Sequence, residues 1–312
     1  MKYLVNSSTD PFFNMAFDEA VLERGPEELV FYLWRNAPAV IIGRNQNPYA
    51  EVNLPYLEAE GISLVRRITG GGAVYHDLGN LNYSFAGPLK SFGSDRPTLI
   101  ADALKQMGIP AELGGRNDIF VDGRKCSGYA KRLSGTRMMI HGTLMFDVDL
   151  GRLMQALSVP GSKVSASGIA SVHSRVANLS EFFDGSMESF TARLQSILAG
   201  GDSGEEAGEA LSIDDSRFRS WDWNFGQSPA ADFHKSSRFP CGTVEASFSL
   251  FRGRIRGIRF GGDFLGELDS SALEAALEGC PLRLPDLLPC LSLTPRVFDG
   301  LAPASLASFL MS

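Results

Sequence analysis

Residues 66–80 read RRITGGGAVYHDLGN, and the reading of this stretch decides the fold. Three successive glycines, Gly70, Gly71 and Gly72, lie between two runs of β-forming residues, which predicts a strand, a bare turn and a second strand. Missing side chains let a ligand approach the main chain, and successive free N–H groups form a concavity that suits an anion. Arg66 and Arg67 precede the turn on a strand, where alternation sends them to opposite faces; Arg67 is taken as the one that reaches a ligand. Taken alone, three glycines fit a hairpin with solvated arginines better.

Outward from this stretch, LVFYLWR (29–35), AVIIGRNQ (39–46), SLVRRIT (63–69), AVYHDL (73–78) and LNYSFAG (81–87) are predicted strands, because β-branched and aromatic residues cluster between Gly, Asn and Pro. Apolar residues recur at helical steps in RPTLIADALKQMG (96–108), LGRLMQALSV (150–159) and MESFTARLQSILAG (187–200). Strands in runs, with helices between groups of them, predict an α+β fold. The acidic, Gly- and Ser-rich residues 200–216 read as an exposed loop, and FGQSPAADFHKSSRFP (225–240) as a boundary. Beyond it, TVEASFSLFRGRIRGIRF (243–260) predicts a β-hairpin, while SSALEAALEG (270–279) and APASLASFLM (302–311) predict helices, enough for a small α/β unit.

The composition narrows the function. A net charge of -7 argues against a general nucleic-acid binder, so an anionic ligand must meet a local basic patch. The amino-terminal residues lack the apolar run of a signal peptide, and no segment approaches a membrane span, so the expected location is the cytoplasm. Cys126, Cys241, Cys280 and Cys290 have no C-x-x-C spacing and are expected as reduced thiols. The phosphate-loop, dinucleotide, zinc-protease and serine-hydrolase motifs are all missing.

Four pieces carry chemistry. Beside the glycine-rich stretch stands GGRNDIFVDGRKCSGYAKR (114–132), with Asn117 and Asp118 as metal or amine partners, Lys125 after a predicted turn, then Lys131 and Arg132. IHGTLMFDVDL (140–150) sets His141 at the start of an apolar strand, and KVSASGIASVHSRVANLSE (163–181) carries Lys163 and Arg175 in a segment that could close over a ligand. Taken singly, Lys125 reads as a solvated turn lysine and His141 as a structural histidine.

In this order the pieces resemble the lipoate-protein ligase A family, within the larger group of biotin and lipoate ligases. The likeness spans nearly the whole chain: PFFNMAFDEA (11–20), IIGRNQNPYAEVN (41–53), RRITGGGAVYHDLGN, GRNDIFVDGRKCSGYA (115–130), HGTLMFDVDL (141–150), SRVANLSE (174–181) and WDWNFGQSP (221–229). The resemblance implies an α+β, biotin/lipoate ligase-like large domain over residues 1–232, with mixed sheets and flanking helices, and a small accessory domain over 240–312. It also implies the reaction. ATP and lipoate, or octanoate, give an acyl-AMP and pyrophosphate. The acyl group then passes to a lysine of a carrier, either a lipoyl domain of a 2-oxoacid dehydrogenase acyltransferase subunit or the glycine cleavage H protein.

Residue by residue, the resemblance implies that Lys125 contacts both acyl carbonyl and phosphate, electrostatically rather than covalently. Arg67, Thr69, Gly70, Gly71, Gly72, Ala73 and His76 line the acyl and adenylate site, with Arg132, His141 and Gly142 in the ligand-binding set. Arg44 helps to close the acyl pocket, and Asn117 and Asp118 fall on the adenylate side, with Asp118 toward Mg²⁺ or the incoming amine. Cys126 and Tyr129 depart from the family pattern. Two rivals differ in chemistry: an octanoyl or lipoyl transferase working through a Cys126 thioester, and a silent lipoate-binding member. Alternation would turn Cys126 to the core if Lys125 faces the ligand, and binding alone has no need of Arg67, Lys125 and Asp118 together.

Overall fold

A row of eight strands forms the main sheet of this protein, whose structure is a computed structural model describing residues 1–93, 96–114, 117–157, 175–200, 204–206 and 211–312. The strands are β1 (Lys2–Val5), β2 (Val30–Trp34), β3 (Ala39–Ile42), β4 (Ser63–Arg66), β5 (Val74–His76), β6 (Asn80–Pro88), β7 (Ala111–Gly114), β8 (Asp118–Val121), β9 (Arg124–Ser134), β10 (Arg137–Met145) and β11 (Glu205–Glu206). Their order in the main sheet is β11-β1-β2-β6-β10-β9-β8-β7, parallel at the β11-β1-β2 end and antiparallel thereafter.

Strand β6 is buried along all nine residues, so both of its faces are covered. Leu81, Tyr83 and Phe85 face a core with Phe31 and Leu33 of β2, Ile100 and Leu104 of helix Arg96–Gln106, and Phe190 and Leu194 of helix Met187–Ala199. The alternate residues Asn82 and Ser84 are just as deeply buried and belong to the other face. There helix Pro11–Arg24 lies against β6, β10 and β4. Asp10 caps it, accepting hydrogen bonds from the Phe12 and Phe13 N–H groups, and Pro11 fills its first turn.

A second sheet carries the glycine-rich stretch. Its order is β4-β3-β5, so the two strands that flank the glycines do not pair with one another; β3 lies between them, parallel to β4 and antiparallel to β5. The apolar run AVII fills this central, fully buried place. The predicted strands and helices of the first 200 residues are all present, with Leu150–Leu157 as the described part of its helix. Within the predicted loop 200–216, Gly200 is the left-handed cap of helix Met187–Ala199, and Glu205–Glu206 pairs with β1; residues 201–203 and 207–210 lie outside the described residues.

Contacts group residues 1–44, 61–157 and 175–219 into this unit and residues 45–60 with 220–312 into a second one. The second unit is an antiparallel meander of β12 (Ala231–Phe239), β13 (Gly242–Phe251) and β14 (Arg254–Gly262), with helices that include Ser271–Leu277 and Pro303–Met311. The β13–β14 hairpin follows the sequence reading, and its turn places Arg252 and Gly253 at positive φ. ADFHKSSRF, read as boundary, is instead a full edge strand. It forms because nine consecutive residues pair with β13, although only alternate ones are half-covered. Tyr49 belongs to this unit as well, its hydroxyl donating to the Gly253 carbonyl at 3.2 Å. Among the described residues no helix is long and apolar enough to cross a membrane.

Candidate active site

Strand register assembles the site. Tyr32, Ser84 and His141 are side by side across β2, β6 and β10, and two residues along the strands so are Trp34, Asn82 and Thr143. A period of two keeps both rows on one face. Trp34, Asn82, His141 and Thr143 line a cavity of about 170 Å³. Met15 of helix Pro11–Arg24, Ile41 of β3, and Val74 and His76 of β5 complete its inner wall. Arg67, Gly71, Gly72, Ala73, Asn117, Lys125, Gly128 and Tyr129 bring glycine backbone and two cations to the same cavity.

Arg66 and Arg67 are both buried, against the sequence alternative of solvated arginines. They divide as alternation predicts, and Arg67 is the one that lines the cavity. Arg66 Nη1 donates to the Gly43 and Arg44 carbonyls at 3.1 and 3.0 Å. The Arg67 guanidinium is a frame for the loop: Nη2 donates to the Gly70 and Gly72 carbonyls at 2.6 and 2.9 Å, Nη1 to Ile41 at 3.0 Å, and Nε to Thr69 Oγ1 at 3.0 Å. With its carbonyls turned inward to one cation, the loop leaves open space beyond Gly70 and Gly72. Gly71 alone of the three has positive φ, +96°, and a Cβ there would meet Arg67 Nη2 at 2.8 Å. Burial holds both arginine pKa values down at about 10, and both stay charged at neutral pH.

Behind the loop runs a chain of buried side chains. His141 Nε2 lies 2.7 Å from Thr69 Oγ1, and His141 Nδ1 lies 2.6 Å from Asp18 Oδ2. Asp18 Oδ1 accepts from the Tyr32 and Ser84 hydroxyls at 2.6 and 3.1 Å. Asp18 is fixed at three points and therefore orients the imidazole, which holds Thr69 beside Arg67. Sequence reasoning passed over Asp18, Trp34, Asn82 and Thr143. Their signal was present as a charged residue inside the apolar FNMAFDEA and as polar residues at alternate places in NLNYS.

Lys125 Nζ pairs with Asp118 Oδ1 at 2.8 Å, and a Cβ on Gly128 would come within 3.3 Å of that ammonium, so a bare glycine makes its room. The Lys125 backbone bonds the Arg175 carbonyl and the Ala177 N–H, which ties residues 175–177 to β9; Lys163 lies outside the described residues. Cys126 is the extra residue of a bulge against β8, fully buried, with its thiol pushed up to about 12 by burial. A thiol so protonated and enclosed is a poor nucleophile. Of the other expected site residues, Thr69 and Asp118 act on cavity residues, as described. Arg132 Nη1 donates to the Ile68 carbonyl at 2.7 Å, and the Arg44 N–H bonds the Thr69 carbonyl at 2.8 Å, so both brace the loop. Gly142 lines the cavity and packs on Tyr83, whose hydroxyl would be 2.4 Å from any Cβ.

An apolar inner wall, two cations and an exposed glycine backbone suit an elongated ligand with an apolar tail and an anionic head. Comparison with known proteins agrees. Residues 10–199 match the model of the lipoyl protein ligase A/B catalytic domain, and residues 228–310 that of the bacterial lipoate protein ligase C-terminus. Lipoate-protein ligase LplJ of Bacillus subtilis (strain 168) is 41% identical over 289 residues, 86% of this chain and 87% of that protein. Among solved structures, a bi-partite lipoate protein ligase with its E2 lipoyl domain from Thermoplasma acidophilum is similar, with TM-score 0.62 and 28% identity over 72% of this chain and 95% of that one. Lipoate-protein ligase A bound with ATP has TM-score 0.60 and 27% identity, over 72% of this chain and 97% of that one.

Proposed function

The chain belongs to the lipoate-protein ligase family, and from that premise we propose that it activates lipoate with ATP and transfers the lipoyl group to a lysine of a carrier domain. The observation that carries this reading is the single cavity wall on which Trp34, Ile41 and Val74 meet Arg67, Lys125 and the open glycine loop. In the first step a lipoate carboxylate oxygen attacks the α-phosphorus of ATP, and the bond to pyrophosphate breaks. In the second the carrier amine attacks the acyl carbonyl, loses its proton, and AMP leaves.

Both steps gather negative charge where Lys125 and Arg67 stand. Lys125 contacts the carbonyl and phosphate oxygens and stabilises charge that develops on them. Arg67, by ordering the loop, presents the glycine N–H groups to the phosphate. His141 and Thr69 hold that loop against the acyl end. Mg²⁺ would accompany the triphosphate and lower its charge repulsion. Such ions keep several waters and take only one or two carboxylates, and Asp118, beside Lys125, would supply one and so help to neutralise the triphosphate; no cluster of three metal-binding side chains occurs among the described residues. The carrier is a lipoyl domain of a 2-oxoacid dehydrogenase acyltransferase subunit or the glycine cleavage H protein. Residues 1–232 are assigned to catalysis and 240–312 to an accessory role in adenylate formation.

Pyrophosphate release from ATP, Mg²⁺ and lipoate, together with the mass of an added lipoyl domain, tests the reading. Lipoate-dependent pyrophosphate and a lipoylated lysine are expected. Acyl transfer without ATP, or an acylated cysteine on the quenched enzyme, would replace the ligase with the thioester transferase.

A further inference from the structure

Two hydrogen-bond donors in the cavity wall have no partner among the described residues: His76 Nε2 and Asn82 Nδ2. Their neighbours fix which atoms these are. Asn14 Nδ2 donates to Asn36 Oδ1 at 2.8 Å, so Asn36 turns its own amide N–H toward His76 Nδ1 at 3.0 Å. His76 therefore accepts at Nδ1 and carries its one proton on Nε2; burial keeps the ring neutral, with its pKa down at about 3. Asn82 Oδ1 likewise accepts from Asn80 Nδ2 at 3.0 Å, which leaves the Asn82 N–H groups for something else. Both residues are almost completely enclosed, 3% and 1% exposed, and a buried donor without a partner is costly to the fold.

Register says where along a ligand these donors fall. Asn82 on β6 is beside Thr143 on β10, and Thr143 Oγ1 contacts the Gly128 N–H on β9 at 3.3 Å, next to the Lys125 ammonium. From the cationic end on β9 to Asn82 is two strand spacings, roughly 10 Å, comparable with the extended length of an eight-carbon acyl chain. Trp34, one strand further, closes that row. With the carboxylate held at Lys125, the far end of the chain comes to Asn82, and to His76, which lies edge-on to Trp34 with ring centroids 6.2 Å apart.

We propose that His76 Nε2–H and Asn82 Nδ2–H donate to the sulfur atoms of the lipoate dithiolane ring and make the cavity prefer a sulfur-bearing acyl chain over a plain hydrocarbon one. This rests on the lipoate reading above. Divalent sulfur is a weak acceptor, but the competing state is a donor left empty in an apolar wall, so even a weak bond counts. Octanoate, ending in a methyl group, leaves both donors as they are.

The test separates ring shape from sulfur. Lipoate is compared with 5-cyclopentylpentanoate, which keeps a five-membered ring of carbon in place of the dithiolane, and with octanoate, by direct binding to the full chain. Lipoate is expected to bind about five- to tenfold more tightly than the carbocycle, the worth of an ordinary hydrogen bond. Asn82→Leu, similar in size, is expected to shrink that ratio, as is His76→Phe. Equal binding of lipoate and carbocycle by the wild-type protein overturns the proposal without any variant, and so does an unchanged ratio in both folded variants. ATP turnover is measured in parallel: no acyl-dependent pyrophosphate, with the binding ratio intact, sinks the ligase reading and leaves the sulfur contact standing.

Discussion

Asp18 Oδ2 and His141 Nδ1 are 2.6 Å apart, both buried, and this contact joins helix Pro11–Arg24 to the strand that carries the site. The carboxylate faces Nδ1 of the ring, and Nε2 at its other edge lies 2.7 Å from the Thr69 hydroxyl. Asp18→Asn sets an amide where three donors converge. One of them loses its acceptor, or the imidazole changes tautomer and Thr69 has to turn. Hydrogen bonds to a charged group are worth about 1.5 to 3 kcal/mol, and a loss of that size is expected in urea unfolding. Lipoate-dependent pyrophosphate release falls with it, and Asp18→Glu recovers part of the rate. Wild-type stability in Asp18→Asn would remove this network from the account.

The three glycines are not equivalent. Gly71 has φ of +96° and its missing Cβ is 2.8 Å from Arg67 Nη2, while nothing stands within 4 Å of a Cβ at Gly70 or Gly72. Gly71→Ala is expected to lower stability by about 1 to 2 kcal/mol, the cost of a left-handed backbone, and to lower activity through the displaced guanidinium. Gly72→Ala is expected to leave the melting temperature alone and to weaken ATP use, because the methyl group would occupy space that the proposed mechanism gives to the nucleotide. Thermal melts beside nucleotide titrations distinguish the two; equal effects of both substitutions would contradict the loop geometry.

Acid sensitivity follows from His76. Burial takes its pKa from 6.5 to about 3, so between these values the unfolded chain binds a proton that the folded one does not. Stability is then fully present above pH 6.5 and is lost as the pH falls toward 3, by up to several kcal/mol for a shift of this size. Urea midpoints measured from pH 7 to pH 4 should decline, and His76→Asn should flatten the decline. A wild-type slope retained in the variant would assign the effect to other groups.

The sequence showed β2 to β6 and β10 because their apolar residues cluster between turn formers, but not the short strands β1, β7, β8 and β11 of the main sheet; it showed the cationic and glycine positions because bare backbone beside arginine is unusual. It hid helix Pro11–Arg24, which is buried round most of its circumference and so has little polar face to mark a helical period. It hid β12 for the opposite reason, a polar edge strand with few apolar residues to betray it. Asn82 and Thr143 stayed invisible as site residues because only strand register brings them together, and Asp18 because only the packing of its helix on that sheet sets it against Ser84. Arg67 was legible as important, whereas its role as a frame depends on carbonyl directions that no residue pattern encodes.

Burial makes Cys126 a test of mechanism. A thiol held up at about 12 is almost wholly protonated at pH 8, and the side chain is enclosed. Iodoacetamide on the native protein should leave Cys126 unmodified, and Cys126→Ala should retain most ligase activity, with a modest loss of stability for the small cavity. Rapid labelling in the native state, or an acyl thioester at this position, would contradict both the packing and the proposed mechanism.

Lys125 separates the enzyme from a binding module most sharply. Its side chain is 42% exposed and pairs with Asp118 at 2.8 Å, a partly exposed pair of the kind worth no more than about 1 kcal/mol to the fold. Lys125→Met keeps the apolar stem and removes the ammonium, so the melting temperature should scarcely move. Losing one preorganised donor to developing charge costs about 10²- to 10³-fold in rate. Because the proposed mechanism puts that ammonium on the acyl-adenylate in both half-reactions, pyrophosphate release and transfer from preformed lipoyl-AMP should slow together. A binding module would lose affinity alone, and a solvated turn lysine would lose nothing. Wild-type rates for both steps in folded Lys125→Met would take this residue, and with it the assigned cationic end of the cavity, out of the mechanism.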